Sequence, residues 1–307
     1  MRTFTVLLVT IAAAQMGCSH STPQQTFTSA DEAAQALVAA ARTEGARALV
    51  DVLGSKAQPL IDSGDAVQDK NSRDRFVKEY AIAHSLEGSE TDGITLSVGQ
   101  DKWPFPIPIV QKNGRWQFDT DAGAQEIINR RVGTNELATI QSCLAFVDAE
   151  REYYVRNPQQ DPLLHFSRKL LSSDGQKDGL YWPTAVNEAP SPLGAQFAEA
   201  RAEGYFQNAS HTSAANPYHG YVYRLLTSQG PNADGGAYEY VVHGKMLGGF
   251  ALLAYPAEYG NSGIMTFIVN HDGVVFSRDL GPETPQVAAK LQTFDPDQTW
   301  KREASID

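Results

Sequence analysis

The sequence predicts an α+β protein in which helices and a small antiparallel meander come first, followed by a long helix packed on an antiparallel sheet. Three observations favour this class. Apolar residues recur at helical spacing over residues 30–86, short strand-like runs follow over residues 93–118, and glycine turns divide the last third into aromatic and β-branched runs. Helices and antiparallel strands in separate stretches of a chain are typical of α+β folds.

The first elements are three helices. Ser29 and Glu32 have the S-x-x-E spacing of a capping box, which predicts a helix over residues 30–43. A second helix is predicted over residues 46–53 and a third over residues 67–86, because apolar residues recur along one face of each.

A meander of three strands is predicted next, over residues 93–98, 105–111 and 115–118. Asn113-Gly114 separates the last two strands, and this dipeptide tolerates the positive φ angles of a tight hairpin, so these strands should pair antiparallel. Proline stands at every second position of residues 103–108. Its missing N–H groups then share one side, which fits the edge of a sheet.

A long helical pattern follows, and Gly133 is predicted to split it into helices over residues 122–131 and 135–155. The second piece carries an apolar stripe that predicts a core helix, formed by Leu137, Ile140, Leu144, Val147 and Tyr154. Cys143 lies in the same pattern and is interpreted as a buried apolar residue rather than a nucleophile. Arg130 and Arg131 are interpreted as solvated surface charges.

The rest of the chain is predicted to form loops and then a sheet. Residues 157–216 are rich in turn formers, which indicates long surface loops. Asn270 to Gly273 predicts a hairpin, and turn chemistry explains His271 and Asp272 within it. The antiparallel sheet is predicted from five runs, at residues 218–227, 238–242, 249–255, 263–270 and 274–278.

Composition narrows the range of partners. The chain has 307 residues, of which 42% are hydrophobic and 20% charged, as in ordinary globular proteins. Its formal net charge is −11, from 25 basic and 36 acidic residues. Nucleic acids attract clustered Lys and Arg, and the sequence has no basic stripe, so we expect no nucleic-acid partner.

The N-terminus carries the signs of export. Arg2 precedes an apolar stretch over residues 4–14, which is too short to cross a bilayer and has the length of a signal-peptide core. The segment Gln15-Met-Gly-Cys18 then resembles a bacterial lipobox. The resemblance implies cleavage before Cys18 and acylation of that cysteine, and therefore a lipid anchor in a bacterial membrane.

A second interpretation of this end remains open. Lipoboxes usually have Leu three residues before the cysteine, where this chain has Gln15. The segment Ala12-Ala-Ala14 also fits an ordinary signal-peptidase site, whose use would give a free secreted protein. If Cys18 is acylated, Ser19 replaces the Asp that commonly retains lipoproteins in the inner membrane. The periplasmic face of the outer membrane is then the expected location.

The predicted organisation has four parts. Residues 1–17 are a signal peptide, and residues 18–26 are a linker after the lipidated cysteine. Residues 27–134 form the helical and meander domain, and residues 135–307 form the domain of helix and antiparallel sheet. Without Cys18, Cys143 is the only cysteine left, so no internal disulfide is expected.

Four segments carry a resemblance to a known family: residues 116–123, 130–137, 248–260 and 262–270. They resemble the bacterial domain-of-unknown-function 2950 family. The resemblance extends over nearly the whole mature chain, and it implies an exported bacterial protein of uncharacterised activity.

A weaker resemblance concerns the C-terminal part. A helix ending at Tyr154, followed by residues 220–225, 254–256, 263–267 and 272–274, is similar to the heads of type IV pilins and pseudopilins. In pilins the apolar helix lies next to the processed N-terminus, whereas here it lies in the middle of the chain. The resemblance therefore implies a pilin-like fold and not pilin function.

Two classes of function remain open, and the first is an enzyme. No H-E-x-x-H, G-x-S-x-G or phosphate-binding motif occurs, so we assign no catalytic residue, no metal ligand and no cofactor. His219, His243 and Glu258 fall on or beside predicted strands. If they met in one cleft, they would support general acid–base or metal-dependent chemistry in an envelope hydrolase.

The second class is a non-enzymatic binding or assembly module of the cell envelope. Tyrosines of the predicted sheet would bind an envelope protein or a glycan if they were exposed together. They are Tyr218, Tyr221, Tyr223, Tyr255 and Tyr259. An exposed tyrosine patch would favour this class, and burial of all five would exclude this form of it.

Overall fold

The computed structural model describes residues 23–205 and 217–304. Over these residues the chain has the predicted α+β fold, with helices and a meander first and a long helix against an antiparallel sheet second. The predicted signal peptide, the lipidation site Cys18 and the first part of the linker lie outside the described residues.

The N-terminal helices follow the prediction except at their ends. Helix α1 (Ala30–Ala41) begins where the Ser29 hydroxyl accepts the Glu32 N–H at 3.1 Å, while the Glu32 carboxylate accepts the Thr28 N–H at 2.7 Å. Two short segments between the second and third predicted helices were missed. The helices that follow α1 are α2 (Arg47–Leu53), a 3-10 turn (Ser55–Ala57), α3 (Gln58–Ile61) and α4 (Ala66–Ile82).

The predicted extension of the third helix to residue 86 is wrong. Helix α4 ends because Ala83 is extended, with φ −160° and ψ 147°, and its backbone leads directly into a strand. That strand, β1 (His84–Ser89), pairs over its whole length with β2 (Gly93–Val98), so Leu86 lies opposite Leu96. The six residue pairs between β1 and β2 determine the structure here, although the spacing of apolar residues alone would allow the helix to continue.

The remaining N-terminal strands are β3 (Trp103–Pro104), β4 (Ile109–Lys112) and β5 (Arg115–Phe118), in the order β1-β2-β4-β5 with β3 also on β2. The Asn113-Gly114 hairpin is confirmed, with φ of 54° and 73°. The strand predicted over residues 105–111 is confirmed only at residues 109–111, which belong to β4, and its predicted start is wrong. The prolines interrupt it, and pairing with β2 is regular only at β3 and at Ile109.

Helix α5 (Thr120–Arg156) is one continuous helix of 37 residues, so the predicted break at Gly133 is wrong. A glycine inside a helix costs only about 1 kcal/mol relative to alanine, and packing along both halves of α5 outweighs that cost. The predicted stripe is only partly buried. Leu137 is 58% exposed, whereas Asn135 and Thr139 beside it are fully buried.

The C-terminal half contains one helix inside the predicted loops, α6 (Gly194–Glu203), and one before the last strand of the sheet, α7 (Thr284–Lys290), neither of which was predicted. The strands are β6 (Tyr221–Leu226), β7 (Ser228–Gln229), β8 (Tyr238–Glu239), β9 (Val241–Val242), β10 (Lys245–Met246), β11 (Ala251–Pro256), β12 (Met265–Asn270), β13 (Val275–Asp279) and β14 (Lys301–Arg302).

The main sheet is antiparallel, in the order β14-β13-β12-β11-β6. The run at residues 238–242 was wrongly placed in it, because β8 pairs with β7 and β9 pairs with β10.

Two hydrophobic cores lie along α5. The first core is formed by the N-terminal helices and the N-terminal sheet, and Ile127 and Ile128 of α5 pack against it. The second lies between the later part of α5 and the C-terminal sheet and includes Cys143, whose burial is confirmed and raises the pKa of its thiol to about 12. The predicted boundary after residue 134 falls within the helix, and the division into two domains stays a prediction.

Candidate functional site

His219 and His243 occupy equivalent positions in two tight turns. Each precedes a glycine, and the φ angles are 49° and 75° for His219-Gly220 and 48° and 77° for His243-Gly244. Positive φ at both central residues is the geometry of a type I′ turn, and histidine is among the residues that tolerate it. Turn geometry therefore accounts for both histidines without any catalytic role.

The surroundings of the two turns differ. His243 is exposed at the tip of the β9–β10 hairpin. His219 is partly buried, with its ring centroid 4.1 Å from that of Tyr218 and its Nε2 atom 3.8 Å from the Glu203 carboxylate. The His243 turn receives a hydrogen bond from the exposed Arg168 side chain, which donates to the Gly244 carbonyl at 3.1 Å. The His219 turn instead packs against several elements, so it is the better candidate for a site built from several parts of the chain.

Glu258 lies in a loop next to the His219 turn, because the Ala257 N–H donates to the Gly220 carbonyl at 2.9 Å. The Glu258 carboxylate accepts a hydrogen bond from the Asn261 side chain at 2.9 Å. The structure thus brings His219 and Glu258 to one region and places His243 in a separate hairpin. Within residues 23–205 and 217–304, no three His, Cys, Asp or Glu side chains are arranged to hold a metal ion.

This region is where the two halves meet, and we call it the junction. Its centre is Asp65, which is 1% exposed and caps the start of α4. One carboxylate oxygen accepts from the Tyr205 hydroxyl at 2.8 Å and from the Gly220 N–H at 3.0 Å. The other accepts from the Gln68 N–H at 3.0 Å. The junction consists of residues 59–69, Arg131, Asn135, Tyr205, the His219-Gly220 turn and residues 258–262.

Asn135 joins both halves from the middle of α5. It is fully buried, its carbonyl accepts from the Gln68 amide at 2.6 Å, and its amide donates to the Ser262 carbonyl at 2.8 Å. At Gly220, a Cβ atom would lie 2.5 Å from the Asn135 amide nitrogen and 3.0 Å from Ser262. Only glycine fits there, so the turn is matched to the helix.

Arg131 makes the third link, which corrects its interpretation as a solvated charge. Its guanidinium donates to the backbone carbonyls of Pro59, at 3.1 Å, and Leu60, and to the Asn261 side chain at 2.5 Å. Burial lowers the pKa of Arg131, and the nearby Asp69 carboxylate opposes this shift. The arginine therefore holds the N-terminal half, the helix and the Glu258 loop together.

The chemistry of the junction is that of a hydrogen-bonded joint. Burial, and then the Asp65 carboxylate, raise the pKa of Tyr205, so its hydroxyl stays protonated and donates to Asp65. The buried carboxylate, amide and guanidinium groups of the junction use their hydrogen-bonding atoms on one another. Such a network stabilises one arrangement of the halves and offers no activated nucleophile.

A different buried carboxyl lies in the second core. Glu150 of α5 is fully buried, and one of its oxygens accepts the Ser167 N–H at 2.8 Å. The other oxygen has no hydrogen-bond partner among the described residues. Burial raises the pKa of Glu150 well above its usual range, so the neutral acid is favoured over the carboxylate.

The five tyrosines of the predicted binding patch have different environments. Tyr221 lies in the core and donates to the Met265 carbonyl at 2.9 Å. Tyr218, Tyr223 and Tyr255 are half-buried, as is Tyr259, whose hydroxyl is 3.2 Å from the Asp279 carboxylate. These side chains therefore contribute more to packing than to an open surface.

A more exposed set of rings lies on the N-terminal half, and we call it the aromatic row. Consecutive ring centroids are separated by 6.5, 5.4, 6.5 and 3.9 Å. Trp103 is 42% exposed, and the Arg130 guanidinium lies 5.1 Å from its ring centroid. The row consists of Trp103, Phe105, Phe76, Tyr80 and His84. Its signal in the sequence is the four-residue spacing of Phe76, Tyr80 and His84, of which the first two lie on one face of α4 and His84 begins β1.

None of the helices in the described part of the chain combines the length and the apolar character needed to span a bilayer.

Comparisons with known proteins give one match. A family model described as "Protein of unknown function (DUF2950)" matches residues 24–303, which is nearly the whole chain. No curated protein and no solved structure matches this chain. The likeness of the C-terminal half to pilin heads therefore stays a prediction.

Proposed function

This chain belongs to the DUF2950 family, and from that premise we propose that it is a lipid-anchored protein of the bacterial cell envelope that acts as a non-enzymatic binding or assembly module. The observation that carries the binding role is the aromatic row. Large exposed aromatic groups next to one another are characteristic of recognition surfaces, because ring faces bury much apolar area with little loss of side-chain freedom.

The geometry of the row favours a partner with flat apolar faces. Trp103 and His84 are exposed at its two ends, and half-buried rings connect them. Arg130 on the Trp103 ring adds a cation beside this surface. Sugar rings of an envelope glycan fit such a surface, and we propose peptidoglycan as the first partner to test.

The binding experiment is co-sedimentation of the mature chain with purified peptidoglycan sacculi. Trp103→Ala is expected to weaken binding at least about 5-fold, because truncation of a tryptophan that anchors an interface typically costs about 1 kcal/mol or more. Tyr238→Ala is a matched control, because Tyr238 is 38% exposed but lies in the C-terminal half. No binding of the unaltered chain, or equal binding by Trp103→Ala, would contradict the proposal.

The anchor has its own experiment, the intact mass of the processed protein from membrane and soluble fractions of a bacterial host. A membrane form that starts at Cys18 and carries acyl mass is the expected result. Cys18→Ala should abolish that form. A soluble, unmodified form starting at Gln15 would instead support free secretion.

A further inference from the structure

The chain joins the fold immediately after the proposed anchor. The Gln24 side chain donates to the backbone carbonyls of Val52, at 3.2 Å, and Phe118, at 2.8 Å. Phe27 exchanges two backbone hydrogen bonds with Trp116, at 2.8 and 2.9 Å, and is 2% exposed. The first few residues of the described chain are therefore bound tightly to the first core.

The distance from this attachment to the proposed lipid is short. Gln24 is the sixth residue after Cys18, and a fully extended chain rises at most about 3.6 Å per residue. The attachment therefore lies within about 20 Å of the lipid-bearing atom, whatever the conformation of the intervening residues.

The attachment also lies at one end of α5. Phe118, which binds Gln24, is followed almost at once by Thr120, the first residue of that helix. The Thr120 hydroxyl donates to Leu53 at 2.5 Å, and Lys56 pairs with Asp121 at 2.6 Å. The anchor therefore acts on the N-terminal end of a 37-residue helix whose length is about 55 Å.

Charge favours one orientation of this helix. Residues 135–307, which form the second core, contain 20 acidic and 12 basic residues, whereas residues 27–134 contain 16 acidic and 12 basic residues. An anionic lipid surface repels both halves, but it repels the second half more strongly, so α5 is not expected to lie flat on the membrane.

We propose that the first core is the membrane-facing part of this protein and that α5 carries the second core away from the bilayer. The proposal rests on the lipid anchor at Cys18. The surface that approaches the lipid is formed by residues 24–27, the end of α2 and the first turn of α5. The far end of α5 and the second core then face the interior of the envelope.

The test uses the full mature chain, coupled through the Cys18 thiol to a maleimide lipid in vesicles that contain anionic phosphatidylglycerol. Cys143 is fully buried, so only Cys18 is expected to react. A bio-orthogonal fluorophore is placed at Lys56 or at Val155, which is 78% exposed near the far end of α5. Energy transfer to an acceptor lipid reports the height of each position above the bilayer.

We expect several-fold stronger energy transfer from position 56 than from position 155. A flexible Gly-Ser insert of about 20 residues after Cys18 should reduce this difference, because it adds roughly 25 Å of reach. Equal transfer from both positions, or stronger transfer from position 155, would overturn the proposed orientation.

Failure of the orientation and failure of the anchor are distinguishable. The vesicle experiment supplies its own tether, so it does not depend on acylation in cells. A cellular protein without acyl mass would overturn the anchor, whereas equal transfer on vesicles would overturn the orientation alone.

Discussion

The His219-Gly220 and His243-Gly244 turns have nearly the same backbone and very different surroundings. Both pairs have φ angles close to 50° and 76°. A Cβ atom on Gly244 would meet nothing within 4 Å, whereas one on Gly220 would collide with Asn135. The first turn is part of the junction, and the second is an exposed hairpin tip.

This difference shows that a local signal can be identical while its importance is set by distant residues. The Gly220 N–H donates to Asp65, which is 155 residues away in the chain. The His243 turn joins β9 to β10, which are adjacent in sequence, and its Gly244 carbonyl accepts a hydrogen bond from the exposed Arg168 side chain. Changes at the junction should therefore be costly, and equivalent changes outside it should be mild.

The largest effect is expected at the centre of the junction. Asp65→Ala would leave the Tyr205 hydroxyl and the Gly220 and Gln68 N–H groups without an acceptor, which should lower the free energy of unfolding by about 3–5 kcal/mol. Urea denaturation measures this change. Asp148→Ala is the control, because its side chain is 80% exposed, and it should stay within about 0.5 kcal/mol. A loss below about 1 kcal/mol for Asp65→Ala would show that the junction does not hold the halves together.

The two glycines allow a direct comparison. Gly244→Ala should cost only about 1 kcal/mol, the usual penalty for a side chain at positive φ. Gly220→Ala should cost about 2–4 kcal/mol, because displacement of Asn135 is added to that penalty. Urea midpoints of both variants measure the difference. Equal losses would mean that the junction is loose enough to admit a methyl group.

Glu150 tests whether a buried carboxyl group outside the junction makes the stability of the protein depend on pH. Its raised pKa means that the folded protein holds the proton more tightly than the unfolded chain. Stability should therefore be greatest below the ordinary glutamate pKa and fall as the pH rises toward the raised pKa, by up to about 1.4 kcal/mol per pH unit. Glu150→Gln should remove this slope and be the more stable form at neutral pH.

Urea midpoints between about pH 5 and pH 8 check that prediction. If Glu150→Gln kept the slope of the unaltered protein, another group would be responsible for it. If the variant were less stable at neutral pH, the carboxylate would have a partner that stabilises its charge.

The smallest effect is expected for the two histidine side chains. Asparagine also tolerates positive φ, so His243→Asn and His219→Asn leave the turn geometry intact. His243→Asn should change stability by less than about 0.5 kcal/mol. His219→Asn should cost about 1 kcal/mol through lost ring contacts with Tyr218 and Tyr205. Thermal melts of both variants measure this, and equal melting temperatures would contradict a role for the His219 ring.

Local signals in the sequence predicted the local structure well. Ser29 begins α1 as its S-x-x-E spacing indicates, and Asn113-Gly114 forms the expected hairpin. Cys143 is buried as its apolar neighbours indicate. For Ser29 and Asn113-Gly114 the deciding interactions lie within a few residues of one another, and for Cys143 the apolar neighbours on its own helix mark the face that the sheet covers.

The errors share a different physical origin. The helix was predicted to break at Gly133, but it continues because two cores pack along it. Leu86 was predicted to be helical, but it pairs with Leu96 across a sheet. Arg131 was predicted to be solvated, but its partners lie 72 and 130 residues away in the chain. No local pattern contains such contacts, so the junction could not be found before the fold.

The long separation between Asp65 and its partners also affects how the protein is made. Tyr205 and Gly220 follow Asp65 by 140 and 155 residues. At ordinary rates of synthesis they emerge on the order of ten seconds later. During that interval the Asp65 side chain of the nascent first half lacks its two partners from the second half. The junction can therefore form only after the second half has been synthesised.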